Sequence, residues 1–169
     1  VSEIRTARLV LRRARIDDLE ALHAVLGNAR AMRFWSTPPH AGPEQTRVWL
    51  TSMIGAPGEA SDDYVVELDG AVIGKAGCWR LPEIGFILDP DHWRRGLGRE
   101  ALEAVIAHVF ANFPVEALTA DVDPRNAASL ALLRSLGFVE TGRAKGTFEV
   151  GGTLCDSVYL ALRRPEDSH

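Results

Sequence analysis

One stretch of the chain reads as strand, helix and strand in succession, and it limits the fold more than any other feature. Residues 83–88 form a short apolar run closed by Asp89-Pro90. Leu97, Ala101, Leu102, Val105, Ile106, Val109 and Phe113 then recur at helical spacing, with Arg99, Glu100, Glu103 and His108 off the stripe. Residues 117–122 read as strand again. Hairpins stand on both sides of this unit. Residues 64–68 and 71–79 flank Asp69-Gly70, a dipeptide that favours the tightest hairpin turn. Residues 139–144 and 154–162 flank Gly151-Gly152 as a closing hairpin. A single crossover among hairpins cannot build a wholly parallel sheet. The expected fold is therefore one α/β domain, with a mixed, mostly antiparallel sheet of about six or seven strands and helices on both faces.

The remaining segments fit that frame. Residues 4–12 alternate in part and predict one strand. Asp17 stands three residues before Glu20, a capping-box spacing, ahead of Leu19, Leu22, Val25 and Leu26 at helical intervals, and Gly27-Asn28 ends that helix. Residues 28–43 read as loop. Pro43 suits a first helical position before Trp49, Leu50, Met53 and Ile54. Pro124-Arg125-Asn126 opens a further helix through Leu130, Leu133 and Leu136, and Gly137 fits the left-handed position after it, with Phe138 folding back. Residues 163–169 read as a polar tail. No repeat or linker interrupts the chain, so a single domain over residues 1–169 is expected.

Composition narrows the function classes. A chain of 169 residues with 46% hydrophobic and 25% charged side chains can bury a core without disulfide help. Its two cysteines, Cys78 and Cys155, lack CxxC spacing and are expected as reduced thiols of a cytoplasmic protein. Lys and Arg number 19 against 23 Asp and Glu, a net charge of −4, which argues against a nucleic-acid partner. No run of ~18 apolar residues suggests a membrane span, and the arginine-rich first residues lack the apolar core of a signal peptide. An opening at Val1 without methionine suggests processing or trimming.

Two glycine patterns invite a nucleotide reading; the first fits it poorly and stays a minor alternative, and the second fails. Gly96-Leu97-Gly98-Arg99-Glu100-Ala101 matches the dinucleotide fingerprint, but residues 89–95 separate it from the strand that the fingerprint needs directly before it. The 70–76 segment is one residue short of a phosphate loop, carries Ala76 where Ser or Thr must hold a metal, and lies in a hairpin. What the 83–101 segment does specify is an anion site. A strand ends, Arg94 and Arg95 arrive, and Gly96 and Gly98 bare the backbone at the positive end of a long helix, with Arg99 adding charge.

Residues Glu83-Ile84-Gly85-Phe86-Ile87-Leu88-Asp89-Pro90-Asp91-His92-Trp93-Arg94-Arg95-Gly96-Leu97-Gly98-Arg99-Glu100-Ala101-Leu102 resemble the acyl-CoA-binding signature of the GNAT N-acetyltransferase superfamily. Gly96 and Gly98 match its glycines, while Trp93 holds the place of a Gln or Arg. Asn126-Ala127-Ala128-Ser129 and Gly137-Phe138 resemble a second family segment. Thr6-Ala7-Arg8-Leu9-Val10-Leu11-Arg12 and Gly152-Thr153-Leu154-Cys155-Asp156 are similar to the RimJ/RimL-type branch, which contains acetylases of ribosomal-protein N-termini. The resemblance implies acetyl-CoA as co-substrate. The backbone of Phe86, Ile87 and Leu88 would pair with the pantetheine arm. The amides of Arg94, Arg95, Gly96, Leu97, Gly98 and Arg99 would hold the pyrophosphate. Asn126 would meet the cofactor near the pantetheine, and Ser129 would lie near its sulfur. From the residues alone, Asn126 reads equally as a helix cap and Ser129 as a first-turn residue.

Acetyl transfer to nitrogen needs a neutral amine, and a carboxylate can take the proton. Glu83 is the expected base, with Glu149 and Glu67 as rivals. Many relatives carry a tyrosine seven residues after the motif asparagine to protonate the leaving thiolate; here that place is Leu133, which leaves Ser129 or water. Trp35, His40, Trp79 and Tyr64 could wall an acceptor site or belong to the core. Trp35, Trp79 and Glu149 are the expected acceptor contacts. His92 and His108 read as loop and helix-surface residues, no His/Cys/Asp cluster has metal spacing, and no GxSxG elbow is present. The expected acceptor is a protein or peptide α-amine. Acetylation of a small-molecule amine and a non-catalytic acyl-CoA-binding module stay open, as does a homodimer.

Overall fold

The computed structural model describes residues 3–166 of the chain. Its elements are β1 (Glu3–Arg5), β2 (Leu9–Arg12), α1 (Leu19–Leu26), α2 (Pro43–Gly55), β3 (Asp62–Leu68), β4 (Ala71–Arg80), β5 (Glu83–Leu88), α3 (Leu97–Asn112), β6 (Ala117–Val122), α4 (Ala127–Ser135), β7 (Val139–Val150) and β8 (Thr153–Arg163). The strands form one sheet in the order β1-β2-β3-β4-β5-β6-β8-β7. Every neighbouring pair is antiparallel except β5 and β6, which flank the crossover helix α3.

Alternation along the strands divides the core between two faces. Tyr64, Val66 and Leu88 point to the side covered by α3 and α4, where Leu97, Val105 and Leu130 meet them. Val65 packs with Leu22 and Leu50 on the opposite side, and Ile87 with Val25 and Leu26, under α1 and α2. Asp69 and Gly70 both take positive φ, 51° and 82°, as a two-residue hairpin turn of this hand requires. Gly137, at φ 100°, ends α4, and Gly137 N and Phe138 N donate to the carbonyls of Arg134 and Leu133.

The eighth strand arises because residues 4–12 are not one strand. Their chain turns at residues 6–8, and this turn is tied to the first turn of α3: Glu100 Oε2 accepts from Thr6 Oγ1 at 2.5 Å and from Arg8 N at 2.8 Å. The expected Asp17 cap does not form: one 3-10 turn, Ile16–Asp18, leads into α1, which has no side-chain cap. Asp18, not Asp17, accepts the Arg15 amide at 2.7 Å, because two hydrogen bonds from Arg12 hold its carboxylate there. At the other end, β7 continues to Val150. Arg163 closes β8, and Arg164 docks on the carbonyls of Phe110, Phe113 and Val115 behind α3. Residues 167–169 of the expected tail lie outside the described residues.

Strands β5 and β6 pair at one position, Glu83 opposite Thr119, and then diverge. That divergence positions the site.

Candidate active site

A cleft of about 450 Å³ opens where β5 and β6 part. Its walls include Ile84, Gly85 and Phe86 from β5, Asp121 from β6, and Asn126 and Ser129 at the start of α4. The register settles which backbone groups face it. Asp89 N donates to Ile73 O at 2.7 Å, so Asp89, Ile87 and Gly85 exchange hydrogen bonds with β4. The amides of Phe86 and Leu88 point the other way, toward the gap. Of the three residues expected to present backbone to a cofactor, Ile87 differs: its polar groups serve β4, and its side chain is buried under α1. Trp93 Nε1 donates to Leu88 O at 3.0 Å and closes the loop over the strand end.

That loop bends sharply. Arg94 and Gly96 have φ of 62° and 73°, a left-handed conformation that suits glycine and strains arginine. Gly96 caps α3 without any side-chain cap, and Glu100 N already reaches Gly96 O. The amides of Leu97, Gly98 and Arg99 therefore have no acceptor within the helix. Leu97 contributes only backbone, since its side chain is buried in the core. Arg99 is partly committed, with its guanidinium on Glu103 and Ser135. Arg8 was missed in the sequence. It donates to Arg95 O at 2.8 Å, and its guanidinium lies 3.4 Å from where a Cβ on Gly96 would stand. The nearby Glu100 does not compete for the loop: burial would raise its pKa, but the hydrogen bonds from Thr6 and Arg8 outweigh that and keep it ionised.

At the opposite end, Glu83 is half-buried, and Trp79 Nε1 donates to its Oε2 at 2.7 Å. Trp35 and Trp79 both line the cleft. His40 and Tyr64 do not: His40 is buried against Thr46, and Tyr64 is fully buried with its hydroxyl on Asp62. His108 leaves the helix surface expected for it, with Nδ1 2.7 Å from Asp62 Oδ2. Glu149 is exposed and off the cleft; strand alternation sends its neighbour Phe148 inward instead. Glu67 is bound to Arg12, which leaves it no freedom to act as a base. Asn126 Oδ1 caps α4 by accepting from Ser129 N at 3.2 Å, so it holds Ser129 at the cleft while facing it as well. Leu133 also lines the wall, and no tyrosine does among the described residues.

One more acidic residue belongs here. Asp121 shares a sheet face with Glu83, because Glu83 pairs with Thr119 and Asp121 follows two residues on. It is exposed on the cleft wall; partial desolvation raises its pKa, the nearby Ser157 hydroxyl opposes this, and the charge of Glu83 adds to the rise. Cys78, by contrast, is sealed in the core, and burial drives its thiol up to about 12. Cys155 is buried beside Arg125 on β8.

Residues 8–139, which carry the loop, the splayed strands and the start of α4, match the family model for an acetyltransferase (GNAT) domain. The chain belongs to the GNAT acetyltransferase family. It is an N-acetyltransferase dependent on acetyl-CoA. An uncharacterized N-acetyltransferase of Bacillus licheniformis, p20, is 26% identical over 170 residues, covering 95% of this chain and 96% of the relative. The spermidine N(1)-acetyltransferase of Escherichia coli K12 is 26% identical over 155 residues, covering 86% and 81%. Among solved structures, a RimL ribosomal L7/L12 α-N-protein acetyltransferase in complex with coenzyme A has the same fold. Its TM-score is 0.84 at 22% identity, over 95% of this chain and 97% of that one.

Proposed function

We propose that this GNAT enzyme acetylates the α-amine of a protein or peptide by direct attack on acetyl-CoA, with Glu83 as base and no acyl-enzyme. The observation that carries the reading is the β5 strand itself. Glu83, held by Trp79, stands at its head on the cleft wall. The Phe86 and Leu88 amides turn away from β4, and the uncapped start of α3 packs at its far end, where a Cβ on Gly98 would meet Phe86 and Leu88. The Arg94–Arg99 backbone takes the pyrophosphate, and the gap beside β5 takes the pantetheine as an added strand. The residues present fit that co-substrate: N–H groups without helix partners at the start of α3, free amides on β5, and Arg94 and Arg95 in the loop between them. The thioester carbonyl is polarised by the β5 amides, and Ser129 assists the departing sulfur. A covalent acyl-enzyme is disfavoured because Cys78 is buried and protonated.

An α-amine asks less of the base than a lysine, since its pKa of roughly 7.7–8.0 lies well below ~10.4. RimL, a similar fold, is an α-N-protein acetyltransferase, which supports the same choice. A second reading, acetylation of a polyamine or other small cationic amine, has its own support. The cleft wall carries Asp63, Glu83 and Asp121, and one relative acts on spermidine. A thiol-release assay over peptides with free and blocked N-termini, spermidine and amino acids tests both. Release only with free N-terminal peptides is expected. Release with spermidine alone moves the assignment to the second reading, and no release above hydrolysis leaves an acyl-CoA-binding module.

A further inference from the structure

The sheet face under α1 and α2 carries one charged pair that its surroundings do not call for. Lys75 stands opposite Val65 on β3 and Ile87 on β5, both buried, and is itself 3% exposed. Its partner Asp63, with 9% of its side chain exposed, lies one row along the same face, opposite Gly77. A buried ion pair loses hydration, which its mutual attraction repays only when its hydrogen bonds are complete. This pair is incomplete. Lys75 Nζ lies 2.8 Å from both oxygens of Asp63, but only the contact with Oδ2 has hydrogen-bond geometry. Among the described residues, Asp63 Oδ1 is a buried acceptor without a partner, and Lys75 makes no other hydrogen bond from its side chain.

Both residues line the active-site cleft, together with Trp35, Trp49 and Trp79. Strand alternation puts Asp63, Lys75, Gly77, Glu83 and Gly85 on one face. Asp63, Gly77 and Gly85 form a row across β3, β4 and β5. A Cβ on Gly77 would stand 2.9 Å from Asp63 Oδ1, so that oxygen overlies bare backbone. Nothing lies within 4 Å of where a Cβ on Gly85 would stand. The row therefore leaves a floor without side chains. It is bordered by the unfilled groups of Asp63 and Lys75 and by Glu83, two residues from Gly85 on the same strand.

From this arrangement we infer that Lys75 and Asp63 recognise the first residue of the acceptor. Lys75 donates to the carbonyl oxygen next to the amine, and Asp63 Oδ1 accepts from the amine as it docks. The amine is thereby delivered over Gly85 toward Glu83. The inference rests on the peptide α-amine reading above and names what selects that class. An ammonium carries three N–H donors, and a polyamine offers it no oxygen. An α-amino carbonyl group supplies both the acceptor that Lys75 lacks and the donor that Asp63 Oδ1 lacks. Because Asp63 already neutralises Lys75, the site favours the neutral oxygen of an amide over a carboxylate, which would add like charge beside Glu83. The same neutralisation weakens the attraction of the cleft wall for a polycation.

The test compares small acceptors in the full chain by thiol release, each rate corrected for its fraction of free amine. The probes are alaninamide, the alkylamine in which carbon replaces its amide oxygen and nitrogen, alanine and spermidine. Native protein should use alaninamide at least ~10-fold better than the alkylamine or alanine, the scale of one hydrogen bond to a charged group. In Lys75→Met the loss in kcat/KM should be at least ~10-fold larger for alaninamide than for the alkylamine, and Lys75→Arg should restore part of it. Lys75→Met leaves Asp63 buried without a counter-charge. The double variant Asp63→Leu with Lys75→Met removes both charges and carries the same comparison if the single variant does not fold. Equal losses for both amines, or a native preference for the alkylamine or alanine, overturn the inference. If the native protein acetylates spermidine alone, the peptide reading and the inference both fall. If it releases no CoA with any amine, the proposed function fails, and NMR titration with alaninamide decides the inference. Binding at least ~10-fold weaker in the double variant then supports it, and equal binding overturns it.

Discussion

Trp79 and Glu83 meet across the turn between β4 and β5, with the indole N–H on one carboxylate oxygen and Arg80 Nη2 4.0 Å from the other. A neutral donor orients the carboxylate without neutralising it. Trp79 thus positions the proposed base as well as lining the cleft. One such hydrogen bond contributes about 1 kcal/mol, so Trp79→Phe should lower kcat roughly fivefold and leave acetyl-CoA affinity unchanged. Steady-state kinetics with calorimetry separates the two terms.

Glu83→Gln should reduce turnover strongly at neutral pH and recover part of it as pH rises, because more of the acceptor is then already neutral. The measurement is a pH–rate profile with a peptide acceptor. An unchanged profile moves the base to water or to Asp121 alone.

Gly96→Glu should abolish CoA binding. The side chain would start from a left-handed backbone, 3.4 Å from the Arg8 guanidinium, and bring a negative charge to the anion site. Calorimetry should show at least ~100-fold weaker binding, equal to about 2.7 kcal/mol. Circular dichroism of the variant checks that the fold survives.

Asp18 predicts an acid-side loss of stability. Burial alone would raise its pKa, but hydrogen bonds from Arg12 and the Arg15 amide more than reverse this and leave it below the ordinary value. A depressed folded pKa means that the contribution is complete above the unfolded value near ~3.9 and is lost as pH falls through the folded one. Asp18→Asn should therefore cost about 3 kcal/mol at pH 7, by leaving Arg12 half-paired in a buried setting, and less below pH ~3. Denaturant titrations at both pH values measure it.

How far the sequence reached depended on whether a feature was local. Asp69-Gly70, Pro43 and Gly137 act through their own φ angles, so the hairpin and both helix ends were legible. The glycine turn that opens α3 was legible for the same reason: Gly96 takes its positive φ locally and leaves consecutive amides at the helix start without side-chain caps. Residues 4–12 misled because their turn is fixed by Glu100, far along the chain. Arg8 and Asp121 carried no local signal at all; the fold of the β1–β2 turn onto α3 brings one to the loop, and the β5–β6 register brings the other to Glu83. Glu149 misled by one residue, because β7 runs on to Val150 and its alternation decides that Phe148 turns inward.

The parting of β5 from β6 has a consequence for molecular company. Unpaired strand edges at the rim of a sheet recruit other chains and lead to aggregation. Here an edge of the same chemistry lies in the middle of the sheet, with β6 and α4 on one side and the Trp93 loop sealing its end. The neighbouring β6 and α4 stand between that edge and other chains, so the Phe86 and Leu88 amides stay unpaired without lying on the rim where a foreign strand would add.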